Sequence, residues 1–332
     1  MFGYIVRRLM TAFLVVVLVS MVTFTLFFKG PSDPASALCE ETGGRCTAAE
    51  LNSIREQMGL NDGLVVNYSR FVKGLFVDRE MYYQGEQMCE APCFGISYGS
   101  RQPVTPQFVE KWPATVSLAV GAVLLYVIIG MTLGSLAARF RGSFFDRAVV
   151  GVATVITAVP YYVLALVAWI VLVLQLSIFP ETGYHPFTDS PVLWASGLLL
   201  PWVVLAFAYA PANMRYMRGY MVESLGEDYI RTARAKGMSQ QGVVFKHGLR
   251  AAIVPMTTIV GLEFAVLLAG TVFTEFLFEI DGIGWWSINS LGNPIDFPVL
   301  NITGTAAAVL IVLGNLIVDL LYAVLDPRVR LA

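Results

Sequence analysis

Side chains able to do chemistry are few in this sequence, and they lie far apart. Cys39, Cys46, Cys89 and Cys93 are its only cysteines, and all four fall in one polar stretch. Thiols persist as disulfides in an oxidising compartment, and four thiols allow three pairings. The local pairs, Cys39 with Cys46 and Cys89 with Cys93, are the expected ones, because each flanks a turn containing Gly or Pro. The competing use is a zinc site, but the stretch has no histidine and its short spacings are not those of paired zinc knuckles. No metal site is therefore expected. No Gly-x-x-x-x-Gly-Lys-Ser/Thr motif occurs, so the chain lacks the usual loop for cradling a nucleotide's phosphates. The two histidines, His185 and His247, have no nucleophile placed with them, and no catalytic constellation is expected. Two carboxylates interrupt otherwise apolar runs, Glu263 and Asp319. Ionisable groups in such runs are costly to desolvate, which makes both candidates for a translocation path.

The elements that must hold these residues belong in lipid. Of 332 residues, 56% are hydrophobic and 14% charged, and the mean hydropathy is +0.66, too apolar for a water-solvated globule. A membrane helix needs roughly 20 mainly apolar residues, because every backbone polar group must be satisfied within the segment. Six stretches qualify, at residues 9–28, 113–138, 148–179, 192–214, 251–274 and 300–325. Short cytoplasmic loops are enriched in Lys and Arg. Arg7 and Arg8, then Arg139, Arg141 and Arg147, then seven basic residues from Arg215 to Arg250, then Arg328 and Arg330 all fall on one side of this pattern. The third and fifth loops carry only acids. The sequence thus predicts an all-α integral membrane protein with six transmembrane helices and both termini cytoplasmic, which separates His185 from His247.

Its organisation follows. Residues 1–28 are the N-terminal segment and first span, 29–112 an extracytoplasmic loop, 113–325 the remaining spans with a cytoplasmic loop at 215–250, and 326–332 a tail. Arg7 and Arg8 before an apolar run imitate a signal peptide, but the run is longer than a signal core, so it is expected to stay attached. In the first loop, Thr47 and Glu50 have capping-box spacing before a helical pattern that ends near Gly59. A second pattern, Leu64, Tyr68, Phe71, Val72 and Leu75, has an apolar face for the membrane or for its neighbours. The loop is thus expected to be folded, either as a plain stabilised loop or as a docking surface.

The 215–250 loop is far longer than a turn requires. Ser224 and Glu227 have capping-box spacing, Tyr229, Ile230 and Ala233 can share a face, Lys236 falls in the last turn and Gly237 is placed as the stop. This predicts a short amphipathic helix, with a second helical piece from Ser239 leading into the fifth span. A basic surface helix of this kind suits anionic lipid and a protein partner equally well.

The run Asp228-Tyr229-Ile230-Arg231-Thr232-Ala233-Arg234-Ala235-Lys236-Gly237, with His247-Gly248-Leu249-Arg250 and Pro255 after it, resembles the cytoplasmic loop of the dipeptide and oligopeptide permease family of ATP-binding-cassette importers. Tyr4-Ile5-Val6-Arg7-Arg8-Leu9, Glu275-Phe276-Leu277-Phe278 with Gly282-Ile283-Gly284, and Asp326-Pro327-Arg328-Val329-Arg330 extend the resemblance over essentially the whole chain. Asp281 stands where that family often has Pro, and residues 80–94 look like an insertion. The resemblance implies that Tyr229, Arg231, Thr232, Ala233, Arg234, Ala235, Lys236 and Gly237 form a coupling helix seated in an ATPase. It implies as partners a similar second permease, two ATP-binding subunits carrying ATP and Mg, and an extracytoplasmic substrate-binding protein, in a bacterial cytoplasmic membrane. No cofactor on this chain and no nucleic-acid partner are expected. Short peptides are the implied cargo, and nickel, haem or a glycosylated solute are the alternatives within the class. An ion channel or proton-coupled carrier would need chains of polar groups inside the helices, and two isolated acids support that weakly.

Overall fold

In the computed structural model, residues 2–28, 35, 47–57, 61–82, 86–269, 271–292 and 295–325 are described. Cys39, Cys46, Gly59 and the tail motif at 326–330 lie outside them. The described chain is helical apart from one hairpin. It begins with α1 (Phe2–Phe28) and the small helices α2 (Ala48–Gln57) and α3 (Leu64–Gly74), followed by the antiparallel strands β1 (Arg79–Tyr82) and β2 (Glu86–Cys89). The long helix α4 (Val104–Arg139) leads to α5 (Phe144–Ala158) and α6 (Tyr161–Trp169), which runs on as a π-helical stretch over Ile170–Gln175. Then come α7 (Pro191–Gly226), α8 (Asp228–Ala235), α9 (Gln240–Ala269), α10 (Val272–Leu277), α11 (Ile283–Asn289) and α12 (Phe297–Leu325). Five of these helices are long and apolar enough to cross a membrane, and the bent pair α5 and α6 makes a sixth when the two are counted as one span.

In the stretch at 148–179 the sequence allows Pro160 to bend the helix, and the structure breaks it there. α5 and α6 are bent by 91° at a break before Tyr161. Pro160 has no amide proton and its ring excludes a carbonyl one turn back, while the residue before a proline is pushed out of the helical region. Val159 accordingly sits at φ −85°, ψ 126°. The fifth span also ends early, at Ala269, and the polypeptide resumes as the separate α10.

α4 and α7 form the most extensively packed pair, around the buried side chains of Leu118, Tyr126, Leu198 and Leu205. Small residues let their backbones approach, as expected where lipid supplies no hydrophobic drive between helices. A Cβ on Gly134 would lie 2.6 Å from the Met214 carbonyl oxygen. α9 meets α12 in the same way, with Val318 packed on Gly261 and Ala265 on Gly314, and α1 lies along α12.

The first loop is folded against this bundle. Thr47 and Glu50 form a reciprocal capping box, the Thr47 amide donating to Glu50 at 2.8 Å and the Glu50 amide to the Thr47 hydroxyl at 3.3 Å. The apolar face of α3 lies on α1, where Tyr68 and Phe71 pack around Phe24. The hairpin, which the sequence did not suggest, lies at residues 79–89. A Cys89–Cys93 disulfide closes the turn after its second strand, and the Cys93 amide donates to the Gly74 carbonyl at 2.9 Å, tying it to the end of α3.

Candidate functional site

Three places in the bundle concentrate polar groups. The first is α8. Its eight residues bury Ile230 and Ala233 against Val243, Leu225 and Met238, which leaves the opposite face to solvent. Arg231, Thr232, Arg234, Ala235 and Lys236 are exposed, while Tyr229 is half exposed with its hydroxyl 2.8 Å from the Ser224 hydroxyl. Arg231 and Asp228 form an exposed ion pair at 3.3 Å, a geometry worth little in water. The helix stops sharply. Met238 donates to the Ala233 carbonyl at 3.3 Å and Gly237 to Arg234 at 2.9 Å, with Gly237 at φ 79°. This is the Schellman pattern, and its left-handed residue is the position glycine fills without strain.

The start of α8 differs from expectation. Ser224 does not cap it. That residue belongs to the last turn of α7, where it is buried and its hydroxyl donates to the Gly248 carbonyl at 3.3 Å. Glu227 takes the cap position without a side-chain bond. α7 outlasts its apolar run by a dozen residues because Met217 and Met221 remain buried against Val244 and Met256 of α9. Ser239 does cap α9, accepting from the Gly242 amide at 3.2 Å. Nearby, Arg218 of α7 makes a bidentate ion pair with buried Asp146 of α5, at 2.5 and 2.7 Å. Sequence reasoning missed this fork, because neither residue stands out within its own segment.

The second place is midway along the helices. Glu263 of α9 is half-buried and accepts a hydrogen bond from Asn213 Nδ2 of α7 at 2.8 Å. Asn213 also donates to the Tyr209 carbonyl at 3.1 Å. Tyr126 of α4 stacks on Tyr209 with ring centroids 5.6 Å apart, and its hydroxyl interacts with the Glu263 carboxylate without reaching hydrogen-bonding geometry. Asp319 follows Val318 on α12, and its side chain lies outside the described residues. The two acids are not brought together by any described contact.

The third place caps the end of the bundle remote from α8. Glu275 of α10 is fully buried yet richly bonded. It accepts from the Thr115 hydroxyl at 2.9 Å, the Thr271 hydroxyl at 3.1 Å and the Trp285 amide at 2.9 Å. Burial nevertheless holds its carboxyl above the usual carboxylate range, against those bonds. A Cβ on Gly282 would lie 2.5 Å from a Glu275 oxygen, which is the physical reason for glycine beside that acid. Asp281 pairs with Lys111 at 2.5 and 2.7 Å, and the ammonium sits about 6 Å over the Trp285 and Trp286 rings. The departure at Asp281 therefore has a partner. Asp296 accepts from the Ser97 hydroxyl and, at 3.2 Å, the Gly99 amide, so the first loop is fastened to the start of α12. The signal that could have found this cap was the pairing of Glu275 with Gly282 and Gly284.

No described group of His, Cys, Asp and Glu is arranged to hold a metal ion.

Comparison with known proteins assigns this architecture. Residues 130–331 match the family described as "Binding-protein-dependent transport system inner membrane component", and residues 1–119 match "Binding-prot-dependent transport system membrane comp, N-term". A probable peptide ABC transporter permease protein of Sinorhizobium fredii is 33% identical over 98% of this chain and 99% of its own length. A putative peptide transport system permease protein of Brucella abortus is 34% identical, and the dipeptide transport system permease protein DppB of Escherichia coli 31% identical, each over 99% of both chains. In fold the chain is similar to a solved chain of the MetNI methionine ABC transporter in an inward-facing conformation. The TM-score there is 0.56 at 16% identity, covering 67% of this chain and 97% of that one. The chain belongs to the binding-protein-dependent transport system inner membrane component family, the multi-pass permeases of ABC transporters.

Proposed function

We propose that this permease forms half of the translocation pathway of an ATP-driven importer of short peptides. A similar second permease supplies the other half, two ATP-binding subunits supply the energy, and an extracytoplasmic binding protein delivers the cargo. The peptide assignment is supported by relatives of near-identical extent whose names specify peptides or dipeptides. The observation that carries the coupling role is α8, a short helix pinned through Ile230 and Ala233 with a basic face turned outward. On this reading Tyr229, Arg231, Thr232, Arg234, Ala235, Lys236 and Gly237 meet the ATPase, and Ala233 anchors them. Closure of the two ATPases displaces the seated helices, and that displacement opens the bundle alternately to each side. Both termini and α8 are cytoplasmic, as the basic residues at that end favour, and the cap around Glu275 faces outward with the first loop. Glu263 lines the pathway.

Co-purification in mild detergent tests this. The wild-type chain is expected to bring down two ATPase subunits and one similar permease. Arg234→Glu with Lys236→Glu, which reverses exposed charges and leaves the buried face alone, is expected to lose the ATPase or its transport-linked activity. A wild-type chain that purifies alone under conditions preserving such complexes would sink the reading.

A further inference from the structure

The carboxylate of Glu263 is surrounded by groups that favour a cation, and none of the described lysines or arginines is ion-paired with it. Removing a carboxylate from water without a paired charge is unfavourable, the more so at mid-membrane depth. Asn213 donates to it and the Tyr126 hydroxyl approaches it, and around them lie further acceptors and aromatic faces. Asn213 Oδ1 and the Tyr126 hydroxyl are buried, and neither makes a hydrogen bond among the described residues. Both residues are themselves fully buried. Two stacked tyrosine rings, Tyr126 and Tyr209, add the negative faces that attract ammonium groups. Carboxylate, amide oxygen, phenol oxygen and ring face together suit a compact cation with several N–H donors.

We propose that Glu263, with Asn213, Tyr126 and Tyr209, is a transit site for the protonated α-amino group that every unblocked peptide carries. The inference rests on the peptide-importer reading and deepens it. A single half-buried carboxylate meets the two demands on a transit site. It attracts the cargo's charge once the carrier protein has released it, and it is not a closed cage that would retain it. A purely structural acid at this position would need only to accept from Asn213 Nδ2, which a glutamine does equally well.

The test uses the reconstituted complete importer in proteoliposomes, with labelled dialanine delivered by its binding protein, and reads uptake and ATP hydrolysis together. Glu263→Gln is expected to lower uptake per ATP hydrolysed about tenfold, the scale of losing one charged hydrogen-bond partner. Glu263→Asp should restore part of the uptake. Uptake within twofold of wild type in Glu263→Gln would overturn the proposal. So would a parallel fall of uptake and hydrolysis without rescue by Asp, which marks a structural role. Failure of the wild-type importer to take up any peptide, with its ATPase active, would instead remove the peptide reading and this inference with it.

Discussion

Glu275 is bonded to three segments at once, so its removal is felt beyond its own helix. Glu275→Ala strips acceptors from the Thr115 and Thr271 hydroxyls and from the Trp285 amide, and each buried donor left unpaired costs about 1–3 kcal/mol. The expected outcome is a markedly lowered thermal midpoint for the detergent-solubilised protein. The same residue sets a pH dependence. Its folded-state carboxyl binds a proton more tightly than the ordinary value of 4.5. Its stabilising contribution is therefore fully present below that value and is lost as pH rises through the raised one. Asp296 is shifted in the same direction, also by burial. Thermal midpoints measured across acidic to neutral pH should fall with rising pH, and Glu275→Gln should flatten that slope.

At the scale of elements, α8 makes the sharpest prediction. Gly237 holds φ 79° with nothing within 4 Å of an added Cβ. Gly237→Ala thus acts through the backbone alone, costing about 1–2 kcal/mol at the helix stop. Transport-linked ATP hydrolysis should drop while membrane insertion, followed by fractionation, stays unchanged. α8 was legible because its information is local: Ile230 and Ala233 at helical spacing, and a glycine after the last turn. The lengths of α4 and α7 were not. Their ends are too polar for an apolar window; the end of α7 is held where α9 buries Met217 and Met221, and the start of α4 where Val104 packs against Trp286 and Val299. Pro160 could be read as a bend, but the residues around it do not state the 91° angle. The bonds of Glu275 were hidden for a similar reason, since Thr115 lies 160 residues away.

For the whole molecule, hydropathy carried most of the architecture, because lipid penalises every unsatisfied backbone group and leaves few ways to build a spanning chain. The polar cap could not be read that way, since it is assembled from residues far apart in sequence. The two ends are fastened very differently. Glu275, Asp296 and the Lys111–Asp281 pair bind helices and first loop together at one end, whereas at the other α8 and the start of α9 hang from α7 on apolar contacts and the Ser224–Gly248 bond. Mechanically this is a cantilever with its clamp at the cap. α7 spans 36 residues, an arm of roughly 54 Å at 1.5 Å per residue. A tilt of about 5° at the clamp therefore sweeps the free end through about 5 Å, on the order of one helical turn. Lever arms of that length let a small rotation at the fulcrum match a large stroke at the tip, and they carry force in either direction.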